Sequence, residues 1–396
     1  MIGLQILKHR FDLSDREIVR MLSENIYWRW FCGLQNDIPD WTAEKPLDAS
    51  SLTKFRRRIK EGGMKVIEKV INGQLFQEGR IDRRTQVIDT TAMEKNISYP
   101  VDSHLLDRGI KRIVKNVGRL KKLGLSVHVR SFNRLARKQI LLMNKLGRGR
   151  KERIERGNRE MIKYAKAVLR QARPVQNARR KCILKDTQRL VDRIKEQIKE
   201  DSELLEKVIS QTERRLEGEH VKGKILSFHE PDVTVIAKGK RGKRYEFGAK
   251  VSLSRDRNGY IVGHQEYHEN IADVNSLESA VQDWAQQLGE YPDELAADRG
   301  YHTSNPSHVL SRIKTVSIPT RGKKKHPDHN QPYFRRLQRY RNKIEPTIGH
   351  LKTDHRMNKC RYKGKSGDAQ NVAWAALAWN SKKWVREIQA EMDRVA

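Results

Sequence analysis

TQVIDTTAM, residues 85–93, is a run of β-branched and apolar residues in which Asp89 directly follows Val87 and Ile88. Such a run reads as a strand, and an acid after its apolar pair puts a carboxylate at the strand's end. A second stretch has the same grammar. Leu295, Ala296 and Ala297 lead into Asp298, and Arg299-Gly300 supplies a tight exit. If the two strands lie side by side in parallel, both carboxylates stand at the same edge of one sheet. The elements between and after them run strand, inserted helices, strand hairpin, helix, strand, helix, strand, helix. That order is the plan of a sheet flanked by helices.

A third acid, Glu345, lies in RNKIEPTIGHLK, residues 341–352. At about 100° per residue, Arg341, Glu345 and Lys352 project from one side of a helix. Leu337, Tyr340, Ile344, Ile348 and Leu351 form the stripe that docks it. Pro346 has no backbone N–H and disfavours helical geometry at Glu345, which predicts a kink or a helix start there. Three carboxylates suit a phosphodiester, which is anionic and repels nucleophiles. Two divalent ions about 4 Å apart activate the attacking oxygen and stabilise the leaving one. Magnesium takes oxygen ligands and keeps several waters, so a few carboxylates suffice. Arg341 and Lys352 would neutralise or orient phosphate.

The bulk charge agrees. The 82 Lys and Arg against 49 Asp and Glu give a net charge of +33, attractive to any polyanion. DNA, RNA and anionic membrane all satisfy charge alone. No stretch reaches the roughly 18 consecutive apolar residues of a membrane span. The start, MIGLQILKHRFDLSDREI, has no apolar core leading to a cleavage site, so a cytosolic protein without a membrane partner is expected. Cys32, Cys182 and Cys360 stand far apart and read as free thiols. The pairs His264 with His268 and His326 with His329 have ligand-like spacing but no third partner nearby, and read as structural. Gly364-Lys365-Ser366 resembles the end of a phosphate-binding loop, but Lys359 stands where the first glycine belongs, which argues against a nucleotide cofactor.

Four regions follow along the chain. Residues 1–80 read as a helical domain for DNA binding or dimerisation. Ser14 with Glu17 predicts one helix start and Asp48 with Ser50 another, the second helix ending at Gly62-Gly63. Tyr27, Trp28, Trp30 and Phe31 read as helix-packing core, with base stacking as the alternative. Lys54 and Arg57 are candidates for DNA phosphates, as is Arg299 beside the second acid. Residues 81–107 and 223–355 carry the strands, and Asp256-Arg257-Asn258-Gly259 predicts a hairpin turn. Between them, residues 108–222 form a basic helical insertion. From Arg108 to Lys185 there are 26 Lys or Arg and 3 acids. Leu184, Val191, Ile198 and Leu205 recur every seven residues, with Ile194 and Val208 between them and Asp201 as a flaw. This seam implies packing on the earlier basic helix folded back, with pairing to another chain as the alternative. Residues 356–396 read as a basic turn and a C-terminal helix that braces the strands.

Asp89 in DTT, Asp298 in DRGY, and Glu345 with Arg341 four residues before and Lys352 seven after resemble the acidic signature of bacterial insertion-sequence transposases of the DDE type, near the branch numbered five. The likeness covers residues 81–107 and 223–355. One departure exists: the fuller signature has a tyrosine three residues before the arginine, where this chain has Gln338. The resemblance implies a ribonuclease-H-like mixed α/β fold, with Asp89, Asp298 and Glu345 catalytic and binding two Mg2+, for which Mn2+ can substitute. It implies cleavage at the inverted-repeat ends of a mobile element, strand transfer into target double-stranded DNA, a homodimer holding two ends, and a place in the bacterial cytoplasm or nucleoid. A nuclease that cuts without joining, a DNA-binding protein that has lost catalysis, and an RNA-binding structural protein remain open.

Overall fold

Strand β1, Thr85–Lys95, is the axis of the sheet. It does not end at Asp89. Its antiparallel register with β3 (Tyr245–Asp256) runs unbroken from Gln86 opposite Asp256 to Glu94 opposite Gly248, because the Thr-Thr-Ala-Met that follows the acid is as β-prone as what precedes it. The other edge of β1 is shared. β5 (Glu294–Ala296) pairs in parallel with Thr85–Val87, and β7 (Lys359–Cys360) pairs in parallel with Glu94–Lys95. Among the described residues, 88–93 have no strand partner on that side. β6 (Thr315–Ser317) continues the sheet beyond β5, again in parallel. On the far edge of β3 lie β2 (Thr234–Ala237) and β4 (Ile261–Tyr267), both antiparallel, and the expected turn joins β3 to β4.

The structure is a computed structural model and describes all residues except 35–46, 179–184, 238–244, 305–307, 323–324 and 396. It divides into two compact units, one made of residues 1–96 with 234–396 and one of residues 97–233.

In the first unit alternation along β1 sends Val87 and Ile88 to opposite faces. Ile88 packs with Leu277, Ala280 and Val281 of α9 (Val274–Leu288). Val87 packs with Leu337 of α10 (Pro332–Asn342) and with Ile344, Ile348 and Leu351 of α11 (Ile344–Asp354), the predicted stripe. The sheet is thus covered by helices on both faces, the mixed α/β class that the resemblance implied.

The N-terminal helices are α1 (Ile2–Arg10), α2 (Asp15–Glu24), α3 (Ile26–Phe31) and α4 (Ala49–Gln77). Ser14 and Glu17 form the capping box at the start of α2, and the Asp48 carboxylate accepts from the Ser50 N–H at the start of α4. Three expectations change here. The α2 run breaks at Asn25, whose side chain caps a separate α3 through the Trp28 N–H at 3.0 Å. α4 does not stop at Gly62-Gly63 but kinks at Lys60 and continues. Tyr27, Trp30 and Phe31 are exposed at 80, 66 and 47%, so only Trp28, stacked on Phe11, packs as core. Nor are these helices a separate body. Ile6 and Met64 share a cluster with Trp374 and Leu377 of α12 (Gly364–Val395).

The second unit is a helical bundle of α5 (Asp102–Lys122), α6 (Asn133–Met143), α7 (Arg150–Ala172) and α8 (Lys185–Leu216). Val191, Ile194, Ile198, Leu205 and Val208 of α8 are buried against residues of α5 and α7, so the seam is satisfied within the chain. Leu184 and Cys182 lie outside the described residues. Asp201, the flaw in the repeat, is buried and paired with Arg112 of α5 at 2.7 Å, with Asn116 donating at 3.3 Å. The unit begins before the change in composition near Asp107, since Leu105 and Leu106 already belong to its core.

α1 is held to the end of α11 by two buried histidines. The Nδ1 of His9 donates to the His355 carbonyl at 3.2 Å, and the Nδ1 of His355 to the His9 carbonyl at 3.3 Å. Burial pushes His355 down to about 4, and burial followed by the nearby Lys8 and Arg356 pushes His9 well below its ordinary range. Both are therefore neutral in the fold, and their contribution is present above the unfolded value near 6.5 and lost as pH falls toward 4. Thermal unfolding between pH 7.5 and 4.5 should show a loss at the acid end of roughly 2 kcal/mol for His355. The variant His355→Gln should lose that share of the acid dependence while unfolding at lower temperature at pH 7.5.

Candidate active site

The split edge of β1 makes a crevice. β5 leaves β1 after Val87, and the chain leaves β5 through Ala297 to Asp298, so Asp89 and Asp298 flank the same opening beyond the carboxyl end of β5. Crevices where neighbouring strands part are where sheets of this kind expose polar groups to ligands. α10 and α11 close the third side. The break between them falls at Lys343, and Glu345 lies in the first turn of α11, the helix start that Pro346 predicts.

One guanidinium joins all three acids. Arg341 Nη1 bonds Glu345 Oε1 at 2.7 Å, while Nη2 lies 3.6 Å from Asp89 Oδ2 and 3.8 Å from Asp298 Oδ2. Side-chain exposure rises from 13% at Asp89 through 33% at Asp298 to 61% at Glu345, so the site is open on the α11 side. Burial pushes Asp89 up to about 6; Asp298 and Glu345 add to the rise, and Arg341 and the Thr90 N–H oppose it. The inner acid is therefore costly to ionise without a cation beside it.

Supporting groups fix this arrangement, and several were not legible as site residues. Asp298 accepts from the Gly300 N–H at 2.7 Å. Asp273, just before α9, accepts from Thr90 Oγ1 at 2.6 Å and pairs with Lys250 at 2.6 Å. Gly300 lets Asp273 and Asp298 stand together, since a Cβ there would meet Asp273 Oδ2 at 2.6 Å and Asp298 Oδ1 at 2.9 Å. Gln338, at the departure from the family signature, donates through Nε2 to the Ser317 carbonyl at 2.9 Å and to Ala297 O at 3.3 Å. It ties α10 to the ends of β5 and β6. No motif marks Asp273; its place before a helix reads equally as an ordinary cap. Beside Asp298 and Arg341 opens a pocket of about 450 Å³, lined also by Arg299, Lys325, His326 and His329. Lys352 lies two turns beyond Glu345 and is half-buried. Lys54 and Arg57 are exposed on α4 and do not line this pocket.

Among the described residues no three acidic, histidine or cysteine side chains stand close enough as placed to hold a metal ion. The donor set nonetheless fits a hard divalent ion: three carboxylates without sulfur, the innermost held above its ordinary range by burial, already gathered on a positive group. Arg341 stands in for that charge. No helix among the described residues is long and apolar enough to cross a membrane.

Comparison with known proteins bears on the class. Residues 1–58 match a transposase domain family, DUF772, and residues 306–385 match a transposase DDE domain family. The second segment holds Arg341, Glu345 and Lys352 but neither aspartate. An uncharacterized protein, ORF8 in the nfe locus of Rhizobium meliloti, is 36% identical over 141 residues, which are 35% of this chain and 64% of that protein. The chain thus spans less than two thirds of that relative. No solved structure matches. The fold is a mixed sheet with three acids gathered at its edge on one arginine. In its two matched segments the chain is similar to transposases, the second of them to a transposase DDE domain.

Replacing Gly300 should separate assembly of the site from global stability. Gly300→Ala forces its Cβ onto two carboxylates, so Asp298 or Asp273 must shift. The expected outcome is a cost of about 1–3 kcal/mol in chemical denaturation together with a crystal structure in which Asp298 has moved from Arg341. An unchanged carboxylate position would mean that Gly300 has no such role.

Proposed function

We propose that this chain cuts DNA at the ends of a mobile element and joins the freed ends to target DNA, with Asp89, Asp298 and Glu345 as the catalytic, metal-holding acids. The carrying observation is the convergence of those three side chains, from three distant segments, on Arg341. The two transposase-domain matches support the DNA substrate, as does the charge of +33. Divalent ions are the family's general cofactor, and the hard oxygen donors favour Mg2+, with Mn2+ as a substitute. Once bound by the acids, two such ions would supply an activated water or 3′ hydroxyl and stabilise the leaving oxygen.

The chain's own residues do the rest. Asp89 is the inner anchor and Glu345 the exposed, movable ligand. Arg341, bound to all three acids in this state, has the fork geometry to turn to a phosphate once another cation neutralises them. Arg299, in the pocket lining, and Lys352, further along α11, would contact the DNA backbone. Lys54 and Arg57 on α4 would hold flanking duplex. A homodimer would bring two ends together, with the exposed Tyr27, Trp30 and Phe31 as one surface for DNA or a second copy. The protein would work in the cytoplasm or nucleoid.

The test is a plasmid bearing the element's ends, incubated with purified protein and Mg2+, followed by a strand-transfer assay on precut ends. Wild type should cleave and join. Asp89→Ala, Asp298→Ala and Glu345→Ala should each lose both reactions while holding end duplexes within about threefold of wild-type affinity, since phosphate contacts dominate binding. Three variants that all still cut would refute the site. Cutting without joining would favour a nuclease instead.

A further inference from the structure

Away from the acids, the first unit contains a cleft of about 640 Å³ whose lining includes eight Lys or Arg and one acid, Asp15. One wall is a single face of α4, where Thr53, Arg56, Arg57 and Lys60 recur at helical spacing. The opposite wall runs from Arg356 through Arg361 to the first turns of α12. Its floor contains Lys8, only 3% exposed. Asp15 is already shared by Lys8 and Arg56, both at 2.6 Å, which leaves the cleft with a large excess of positive charge. For Arg57, Lys60, Lys359, Arg361 and Lys363 the described residues provide no carboxylate within ion-pair distance.

Two further features point to an anionic ligand. Lys60 and Arg356 have φ of 48° and 66°, the left-handed region that residues with a Cβ seldom enter, and both line this cleft. Held strain of that kind concentrates where side chains must be aimed at a ligand. The Gly364-Lys365-Ser366 triplet, which lacks the first glycine of a nucleotide-binding loop, opens the 32-residue α12 here, so the helix's positive end adds to the field.

β7 sets the cleft's distance from the acids. Lys359 lies opposite Glu94, five residues along β1 from Asp89, or about 17 Å at a strand's rise. A DNA strand advances about 3.4 Å per nucleotide. We propose that this cleft is a second phosphate-binding site, gripping the backbone of duplex DNA about five base pairs from the phosphate that is cut. The proposal rests on the DNA-cleaving function above. In this site α4 and the start of α12 act as two jaws on one strand.

The test compares two charge-matched pairs in the full-length protein, Arg57→Ala with Arg361→Ala in the cleft and Arg386→Ala with Arg394→Ala on exposed turns of α12 outside it. The probe is a fluorescein-labelled 30-base-pair duplex titrated across a salt series, with Asp89→Ala as a third protein. The cleft pair should bind at least about tenfold more weakly and lower the slope of log affinity against log salt by about two, one for each lost phosphate contact. The α12 pair should change the slope by less than one, and Asp89→Ala should bind as wild type does. Equal losses in the two pairs would overturn the cleft but leave the catalytic reading standing. Failure of wild type to bind duplex would sink both. Tripolyphosphate that raises the melting temperature of wild type but not of the cleft pair, while both bind duplex equally, would make this a free-anion site and also overturn the proposal.

Discussion

The guanidinium of Arg341 is the point on which the site's order depends. Three carboxylates from β1, the exit of β5 and the start of α11 would repel one another in a part-buried crevice, and burial already disfavours the charged form of Asp89. One planar cation at 2.7, 3.6 and 3.8 Å offsets that repulsion. The arginine is aimed by packing, because Leu337 on the same helix is buried under the sheet and Gln338 is tied to Ser317 and Ala297.

The sheet makes room for this arrangement through the divided edge of β1. Had β5 continued alongside β1 past Val87, its residues would have covered Asp89. Because it stops at Ala296 and the next partner arrives only at Glu94, the middle of β1 is open on one side. The same division sends the chain after β7 back over the sheet as α12, and that brings the N-terminal helices into one body with the strands.

Much of this was legible because the deciding signals are local. The β-branched run at 85–93, the parallel partner ending in Ala296, the stripe from Leu337 to Leu351 and the helix start just before Pro346 follow from residue type and period. Long-range features were not legible. Nothing around Asp273 marks it as an acid beside the site, since its position depends on the fold bringing Thr90 and Lys250 to it. The Gly62-Gly63 pair signals a helix end, yet packing of Met64 against Trp374 carries α4 past it. The aromatic cluster of α3 has the composition of a core but faces solvent, because only Trp28 finds a partner in Phe11. The heptad seam was readable as a seam; that it faces α5 and α7 of its own chain is a fact of tertiary packing.

The order of the acids along the polypeptide has a consequence during synthesis. The strand carrying Asp89 is made first, a whole helical unit must then follow, and Arg341 and Glu345 come after both. A nascent chain that stops short of Arg341 therefore lacks the cation that gathers the carboxylates.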